Sequence, residues 1–463
     1  MSFTRSWIFS LLNRKPQSLN YLKQIHAILI TANLKSPSNL SKLIEQFSSL
    51  SPHQASNHAH LIVNHNQTDY QVFLLNTLMK CGLPRDSIHL FAKWVSVSSI
   101  DFDDHTFIFA LGACARSPSL SAIYEGRQIH ACAIKLGFIP DLLVSTTTIH
   151  FYCTNGYIVN ARNLFDEMPM RSHATWNALI TGYSSQKKEP HKNCIKALVC
   201  FKDMLVAESI EKPDGMTMVC VLSAVSQLGS LESGSSVHGY IAKNIDPVND
   251  VYVGTSLVDM YSKCGCISIA SELFATMKER NVRTWTAMVT GLAFNGRGKE
   301  AKELIHEMRR FDVRPNMVTF TSMLCGCRHS GLVEEGLYLF HNMEKEFGVT
   351  PQIEHYGCIV DLLGKVGYLR DAYDFIVEMP YEENPVLWRS LLSWCRLHGD
   401  ILMGEKVGKI LLKFQRDLQQ PSNDYVALSN VYASANRWED VGTIREEMKF
   451  KGLQIKPGRS AVY

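Results

Sequence analysis

The hydrophobic positions of this chain recur in a short helical pattern. A small residue is followed four positions later by Phe or Ile, and three positions after that by Met. Spacings of four and three place the three side chains on one face of an α-helix. The pattern therefore predicts a repeated helix with one apolar face. Its copies are Ala161, Phe165, Met168; Ala197, Phe201, Met204; Ala270, Phe274, Met277; Ala301, Ile305, Met308; Gly336, Phe340, Met343; and Ala372, Ile376, Met379.

A glycine stands five residues before the small position in most copies, as Gly265 does before Ala270. A helix that ends in a left-handed glycine and turns into a second helix explains this constant offset. The segment before the glycine, such as residues 285–292, is apolar on a helical period. Each unit is expected to be a helical hairpin. The other turn positions are Gly82, Gly156, Gly296, Gly331, Gly367 and Asn436.

Hairpins of this size cannot bury their apolar faces alone, so neighbouring hairpins must stack into a continuous array. The expected fold class is all-α, a right-handed superhelical α-solenoid of helix-turn-helix repeats. The repeats are unequal: the small positions at Ala270, Ala301, Gly336 and Ala372 lie 31, 35 and 36 residues apart. A third variant carries a histidine in place of the Phe. These histidines, His26, His130 and His238, lie 104 and 108 residues apart, so the period is a triplet of hairpins.

A rotation of unequal hairpins resembles the PLS subfamily of plant pentatricopeptide-repeat proteins, whose arrays alternate standard, long and short motifs. Residues 253–265 resemble the short motif, and the pattern after Pro385, including Trp388 and Tyr432, resembles the E-type extension of RNA-editing members without a DYW deaminase domain. The resemblance implies an organelle-targeting segment at 1–18, degenerate repeats at 19–71, tandem repeats at 72–384 and the extension at 385–463. The expected repeats are 72–103, 104–141, 142–172, 173–214, 215–250, 251–281, 282–316, 317–352 and 353–384.

The charge distribution bears on partners and location. Net charge is +3, and the first 44 residues carry six of the 47 basic residues and none of the 44 acidic ones. Such a basic start resembles a transit peptide, and Arg5 and Arg14 favour the mitochondrion, with the chloroplast as the alternative. The remaining chain is near neutral, so a nucleic acid would have to be held mainly by base contacts. No apolar run approaches the ~20 residues that span a bilayer, and no membrane association is expected.

The sequence lacks the signatures of common catalytic sites. A cytidine deaminase needs H-x-E and P-C-x-x-C to hold zinc and move protons. None of the 17 histidines begins H-x-E, and the 13 cysteines include no C-x-x-C pair, so we expect reduced thiols, no metal, no cofactor and no enzymatic activity. The scattered histidines are interpreted as solvated or core residues: His306, His329, His355 and His398.

The family resemblance also implies which residues contact RNA. In that family the fifth and last residues of a motif read one base, and residues one turn toward solvent stack on the bases. The implied base-reading pairs are Asn76 with Asp103, Thr146 with Ser172, Asn177 with Asp214, Thr255 with Asn281, Thr286 with Asn316, Thr321 with Gln352, and Gly357 with Asn384. The implied stacking residues are Phe73, Leu143, Ala174, Arg283 and Val318.

By the same resemblance, Asn with Asp implies uridine and Thr with Asn implies adenosine. The long motifs pair apolar Ile108 with Asp141 and Val219 with Asp250, and are expected not to read a base in this way. An alternative is that these polar residues only cap helices, because Asn, Thr and Asp all favour cap positions.

Three functions follow from this reading. The first is a monomeric, sequence-specific binder of single-stranded organellar RNA that selects sites for C-to-U editing and recruits a deaminase in trans. The second keeps RNA binding but acts in RNA stability or splicing. The third is a protein-binding scaffold of the tetratricopeptide type, which the unequal repeat lengths disfavour, since that family keeps a steady period of about 34 residues.

Overall fold

The computed structural model describes residues 18–50, 71–95, 102–117, 119–207, 212–245, 250–380, 384–413 and 422–453, with positions 12, 59 and 61–63. Nearly all of the expected targeting segment at 1–18 lies outside the described residues, as do 454–463 at the end of the expected extension. Among the described residues no helix is both long and apolar enough to cross a bilayer.

The described secondary structure is entirely helical, and the helices alternate as first and second members of hairpins. In chain order they are α1 Leu19–Thr31, α2 Pro37–Leu50, α3 Gln71–Cys81, α4 Pro84–Val95, α5 Asp104–Arg116, α6 Leu120–Lys135, α7 Leu142–Thr154, α8 Ile158–Glu167, α9 His173–Ser184, α10 Pro190–Val206, α11 Gly215–Leu228, α12 Leu231–Asn244, α13 Val251–Lys263, α14 Ile267–Thr276, α15 Val282–Phe294, α16 Gly298–Arg310, α17 Met317–Ser330, α18 Val333–Asn342, α19 Ile353–Val366, α20 Leu369–Glu378, α21 Pro385–His398, α22 Ile401–Lys413, α23 Ser422–Ser434 and α24 Trp438–Phe450.

The chain forms two compact units, residues 1–228 and 229–463. In the first unit α3, α5, α7, α9 and α11 pack successively, each against the next. In the second unit α13, α15, α17, α19, α21 and α23 do the same. Within each unit the first helices of consecutive hairpins therefore form one layer and the second helices another, which confirms the expected all-α solenoid of helix-turn-helix repeats.

The recurring apolar stripe of the second helices is core. Ala270, Phe274 and Met277 are all buried, and the Phe274 ring meets the Trp285 ring of the next first helix edge-on at 5.0 Å. Phe165 meets Trp176 in the same way at 4.7 Å. Burying each such large apolar side chain stabilises the fold by roughly 1.5–3 kcal/mol. The stripe thus joins each hairpin to its successor.

The turn glycines adopt the expected left-handed conformation, with φ of 80° at Gly265 and 59° at the equivalent Asn436. Gly156, Gly296, Gly331 and Gly367 do so as well. Gly82 is a correction to the expectation, because its φ lies outside the left-handed region. The next helix begins two residues later at Pro84, and Ser87 Oγ donates a hydrogen bond to the Met79 carbonyl at 2.9 Å, so this hairpin closes through a tighter turn.

Successive first helices approach each other closely. A Cβ added to Gly326 in α17 would lie 2.6 Å from the Ala293 Cβ in α15, nearer than side chains tolerate. A Cβ on Gly291 in α15 would collide with Ser262 in α13. Both glycines are tenth in their helices, so the same point of contact recurs and fixes the spacing of the first helices.

The histidines that mark the long motifs are also structural. His130 Nδ1 lies 2.9 Å from Tyr152 Oη, and His238 Nδ1 lies 2.9 Å from Tyr261 Oη. Each pair joins the second helix of a long hairpin to the first helix of the following short one. Burial lowers the pKa of both histidines, so each is held neutral as one half of a hydrogen-bonded pair.

Candidate nucleic-acid interface

The last residue of each expected repeat is the N-cap of the next first helix. Asn281 Oδ1 accepts hydrogen bonds from the backbone N–H of Arg283 at 2.9 Å and of Thr284 at 3.1 Å. Asp103, Asp141, Ser172, Asp214, Asp250, Asn316 and Asn384 likewise cap the helices that follow them. These bonds satisfy backbone donors that a helix start leaves unpaired.

We call the fifth and last residues of a repeat its reading pair, and the third residue of the next first helix its bridging residue. The bridging residue connects the two members of the pair. Thr284, whose relative exposure is 0%, donates its hydroxyl proton to Asn281 Oδ1 at 3.2 Å, and its oxygen lies 2.7 Å from Thr255 Oγ1. The fifth and last residues are therefore parts of one hydrogen-bonded site.

The same arrangement recurs along the chain. Thr319 donates to Asn316 Oδ1 at 3.2 Å and lies 2.9 Å from Thr286 Oγ1. Thr175 lies 2.8 Å from Thr146 Oγ1 and 3.1 Å from the hydroxyl of Ser172. Each of these threonines is fully buried. The reading pairs at Thr286, at Thr146 and at Thr255 thus share one design.

The Asn–Asp pairs are joined directly. Asn76 Nδ2 donates to Asp103 Oδ1 at 2.8 Å, and the same carboxylate oxygen accepts from Thr106 N at 2.9 Å and Thr106 Oγ1 at 2.7 Å. Asn76 is only 5% exposed, and its Oδ1 has no hydrogen-bond partner within the described part of the chain. The pair therefore holds a buried acceptor that the described residues leave without a hydrogen bond.

Asn177 and Asp214 form an equivalent site. Burial would raise the pKa of Asp214, but hydrogen bonds from the backbone and hydroxyl of Thr217, with nearby His173 and Asn177, lower it. Both Thr217 bonds to Asp214 Oδ1 measure 2.7 Å. Asn177 Oδ1, like that of Asn76, has no partner among the described residues. Asp214 is thus held as a carboxylate, which can only accept hydrogen bonds.

The final two repeats depart from this design. At Thr321 and Gln352 the bridging residue is His355, which is 1% exposed and lies 3.1 Å from Thr321 Oγ1. Gly357 presents no side chain, and a Cβ there would lie 3.5 Å from Leu387 at the bridging position. The long repeat at 104–141 departs as well, because its fifth residue is the apolar Ile108 and the bridging residue that follows is the buried Val144. Polar fifth residues therefore meet polar bridging residues, whereas Gly357 and Ile108 are followed by apolar ones.

The expected stacking residues are on the surface. Phe73, Leu143 and Val318 are 49%, 55% and 63% exposed, and Ala174 and Arg283 are also exposed. Each lies three residues before a fifth residue, one helical turn away. Tyr252 occupies the same position before Thr255 and is 58% exposed. Sequence reasoning missed Tyr252, although its place as second residue of its repeat would have identified it.

The pattern of matched residues continues into the expected extension with different chemistry. Arg389 is the fifth residue of α21 and Asp424 is the third residue of α23. The guanidinium binds both carboxylate oxygens, at 2.6 and 2.9 Å, and Asp424 is 1% exposed. At this junction an ion pair that uses both carboxylate oxygens of Asp424 takes the place of the neutral hydroxyl or amide contacts found in the repeats.

Sequence reasoning placed the fifth and last residues of a repeat side by side but missed the bridging residues that join them. The signal was present as an N-cap residue followed three positions later by Thr, the spacing of a capping box. It recurs as Asp103-x-x-Thr106, Ser172-x-x-Thr175, Asp214-x-x-Thr217, Asn281-x-x-Thr284 and Asn316-x-x-Thr319. Capping was considered as an alternative to base reading. At the Asn and Asp caps one side-chain oxygen binds the helix start and the group has a second polar atom, so one residue can serve both purposes.

Stacked helical hairpins with a polar pair at most junctions define a helical-repeat protein that presents hydrogen-bonding groups in series. Comparison with known proteins gives the family. The PPR repeat family matches residues 280–329, the PPR repeat matches 145–173, 255–282 and 318–346, and the E motif matches 398–463. A pentatricopeptide repeat-containing protein of Arabidopsis thaliana is 48% identical over 461 residues, which cover 98% of both chains. The chain belongs to the pentatricopeptide-repeat family, of the PLS type with an E-type extension.

Other relatives agree with this assignment. A second Arabidopsis thaliana protein of the family, named chloroplastic/mitochondrial, is 36% identical over 462 residues, covering 96% of this chain and 70% of its own. The crystal structure of the pentatricopeptide repeat protein PPR10 from maize superposes with a TM-score of 0.61 at 15% identity, covering 93% of this chain and 61% of that one. PPR10 was also solved in complex with an 18-nt psaJ RNA element, and that structure matches with the same TM-score.

Proposed function

We propose that this protein binds single-stranded RNA in a sequence-specific manner, with one base at each polar reading pair. The observation that supports this most directly is the hydrogen-bonded coupling of the fifth and last residues at successive junctions, in the same register each time. The exposed residue one turn before each fifth residue supplies a surface on which a base can stack. PPR10, which shares the fold, binds an RNA element.

The base assignments that the family resemblance implies give a target sequence. Asn76 with Asp103 and Asn177 with Asp214 take uridine, and Thr255 with Asn281 and Thr286 with Asn316 take adenosine. The intervening repeats carry no assigned base. With the final repeat four nucleotides before the edited cytidine, as in the family, the target is 5′-UnnUnAAnnnnnC.

Binding to synthetic RNA tests this proposal. The full chain should bind 5′-UnnUnAAnnnnnC more tightly than an RNA in which both adenosines are guanosine, by roughly 1–3 kcal/mol per base. An RNA with both uridines changed to cytidine should also bind more weakly. Equal affinities for all three RNAs would contradict sequence-specific reading by these pairs.

We further propose that the protein is a plant organellar factor that selects a site for C-to-U editing and brings a deaminase in trans. The E-motif match over residues 398–463 supports the editing role, because the resemblance links this extension to editing members. Relatives named chloroplastic or mitochondrial support an organelle, for which we propose the mitochondrion, with the chloroplast as the alternative. The protein itself would act as a monomer without catalysis.

The alternative role is protection or splicing of the bound transcript, which needs RNA binding but no deaminase. Transcriptome sequencing of a plant lacking this protein separates the two. Loss of one edited cytidine preceded by the target sequence is expected for the editing factor. Altered transcript ends or retained introns with normal editing would favour the alternative. A fluorescent fusion of residues 1–60 would identify the organelle.

A further inference from the structure

The hydrogen bonds that Asn281 accepts bear on which hydroxyl donates at the Thr–Asn pairs. Asn281 Oδ1 can only accept, and it already accepts from two backbone N–H groups and from the Thr284 hydroxyl. Thr284 has therefore used its only hydroxyl proton. Either hydroxyl could donate in the 2.7 Å contact between Thr284 and Thr255, and with the Thr284 proton given to Asn281 we assign Thr255 as the donor.

Each member of the pair then offers the RNA only one kind of hydrogen-bonding group. Thr255 has given its proton to Thr284 and offers the RNA only oxygen lone pairs. The carbonyl of Asn281 faces its own helix, so the amide Nδ2–H₂ remains for the RNA, as a donor. Thr286, Thr319 and Asn316 repeat these contacts at 2.9 and 3.2 Å. The site thus presents an acceptor beside a donor.

We propose that the bridging residue sets the hydrogen-bond polarity of the reading pair before it, so that Thr284 and Thr319 are positioning residues that select amino bases over keto bases. Adenine and cytosine each present an exocyclic amino donor next to a ring nitrogen acceptor, which fits a Thr acceptor and an Asn donor. Guanine and uracil present a carbonyl oxygen next to a ring N–H, which is the opposite order. This inference rests on the proposed RNA binding.

The Asn–Asp pairs differ from the Thr–Asn pairs at the last residue, which is an acceptor instead of a donor. Thr106 donates its hydroxyl proton to Asp103 Oδ1, which also accepts from Asn76. The remaining carboxylate oxygen of Asp103 and the unpartnered Oδ1 of Asn76 are both acceptors. Acceptors call for the ring N–H of a keto base, as in uracil. A bridging threonine therefore serves both kinds of pair, because it donates to the last residue in each.

The histidine bridge extends the rule to a repeat that the sequence left unassigned. His355 Nδ1 accepts from the Gln352 N–H at 2.9 Å, so the proton of the neutral ring is on Nε2. Nε2 lies 3.1 Å from both Thr321 Oγ1 and the Met317 carbonyl, and the Thr321 hydroxyl donates to that carbonyl at 2.9 Å. Thr321 is thus an acceptor as well, and its nucleotide should offer a hydrogen-bond donor to it.

The test replaces the bridging threonines in the full chain with valine, which has the same shape and no hydroxyl. Valine already occupies this buried position at Val144 and Val253, so the fold should tolerate Thr284→Val and Thr319→Val. The probes are four RNAs of the target sequence with A, C, G or U at both adenosine positions. Thermal unfolding checks the fold, and Thr284→Ser with Thr319→Ser is the conservative control.

The wild-type chain should bind the A and C probes better than the G and U probes, by about tenfold or more. In the double valine variant the hydroxyls of Thr255 and Thr286 are free to donate to the RNA. Its preference for amino over keto bases should therefore fall to about threefold or less. The double serine variant should keep the wild-type preference. Discrimination at the uridine positions, where Thr106 and Thr217 are intact, should not change in either variant.

The outcomes separate the two proposals. If the wild-type chain shows no base preference at any position, RNA reading by these pairs is wrong. If the wild type discriminates and the folded double valine variant discriminates equally well, the polarity rule is wrong and the threonines serve only the helix caps. A wild-type chain that prefers G to C at the adenosine positions would also overturn the rule.

Discussion

Converting one adenosine site into a uridine site is the most demanding test of how the reading pairs work. The perturbation is Thr255→Asn together with Asn281→Asp, which reproduces at α13 and α15 the pair formed by Asn76 and Asp103. The new carboxylate would accept from the Thr284 backbone and hydroxyl, as Asp103 does from Thr106 at 2.9 and 2.7 Å. Asn and Asp are about equally good N-caps, so the helix start should lose less than about 0.5 kcal/mol.

The magnitude follows from the hydrogen bonds that change. A buried polar group left without a partner costs about 1–3 kcal/mol, and we take about 1.5 kcal/mol for one mismatched base. The wild type should prefer adenosine by that amount and the variant should prefer uridine by the same amount. The ratio of the two affinities should then change by about 3 kcal/mol, which is about 150-fold.

Fluorescence anisotropy with two RNAs that differ only at this nucleotide measures the ratio directly. The single variants Thr255→Asn and Asn281→Asp serve as controls, since each alone gives a mixed pair, and the cycle reports their coupling. A double variant that unfolds like the wild type and still prefers adenosine would refute the reasoning. A loss of preference in the folded double variant would show that other contacts determine the base.

Three further outcomes are expected. A hydrogen bond from the Cys358 thiol, 3.5 Å away, lowers the pKa of Cys325, so its alkylation rate should level off at a lower pH than that of an ordinary thiol. Cys358→Ala should restore the ordinary profile, and identical profiles would refute this hydrogen bond. Arg389→Ala leaves the buried Asp424 without its counter-charge and should lower the free energy of unfolding by about 2–4 kcal/mol. Arg297→Ala, which breaks an exposed pair, should lower it by less than about 1 kcal/mol, and equal losses in urea titrations would contradict this difference. A plot of the logarithm of RNA affinity against the logarithm of salt concentration should have a slope no steeper than about −3. This corresponds to about four phosphate contacts, since each contributes ~0.7 to the slope for a single strand. A steeper slope would show that phosphate contacts hold the strand.

Periodicity was sufficient to predict the solenoid because each hairpin repeats the same few determinants. The stripe formed by Ala270, Phe274 and Met277 and the turn at Gly265 have the expected burial and backbone conformation. Gly82 differs because its turn is closed by the hydrogen bond from Ser87 to the Met79 carbonyl instead of by a left-handed residue. Local spacing predicts a helix well, but it does not show how a particular turn is closed.

The reading pairs could be located from phase alone, whereas their coupling could not. Asn281-x-x-Thr284 shows a capping box in the sequence, but the contact from Thr284 to Thr255 spans 29 residues. That contact depends on how closely α13 approaches α15. Gly291 permits this approach because it has no side chain, whereas a Cβ there would collide with Ser262. The pairing of His130 with Tyr152 depends on helix packing in the same way.

The matching of a fifth residue with the third residue of the next helix has a consequence for exchanging repeats. A transplanted repeat that begins at its first residue carries its own fifth and last residues but leaves its bridging partner behind. Inserted before Leu387, for example, a Thr–Asn pair would meet an apolar side chain and lose the fixed direction of its hydroxyl. The portable unit therefore runs from the fourth residue of one repeat to the third residue of the next, and chimeras joined at that boundary should keep their specificity where those joined at repeat ends lose it.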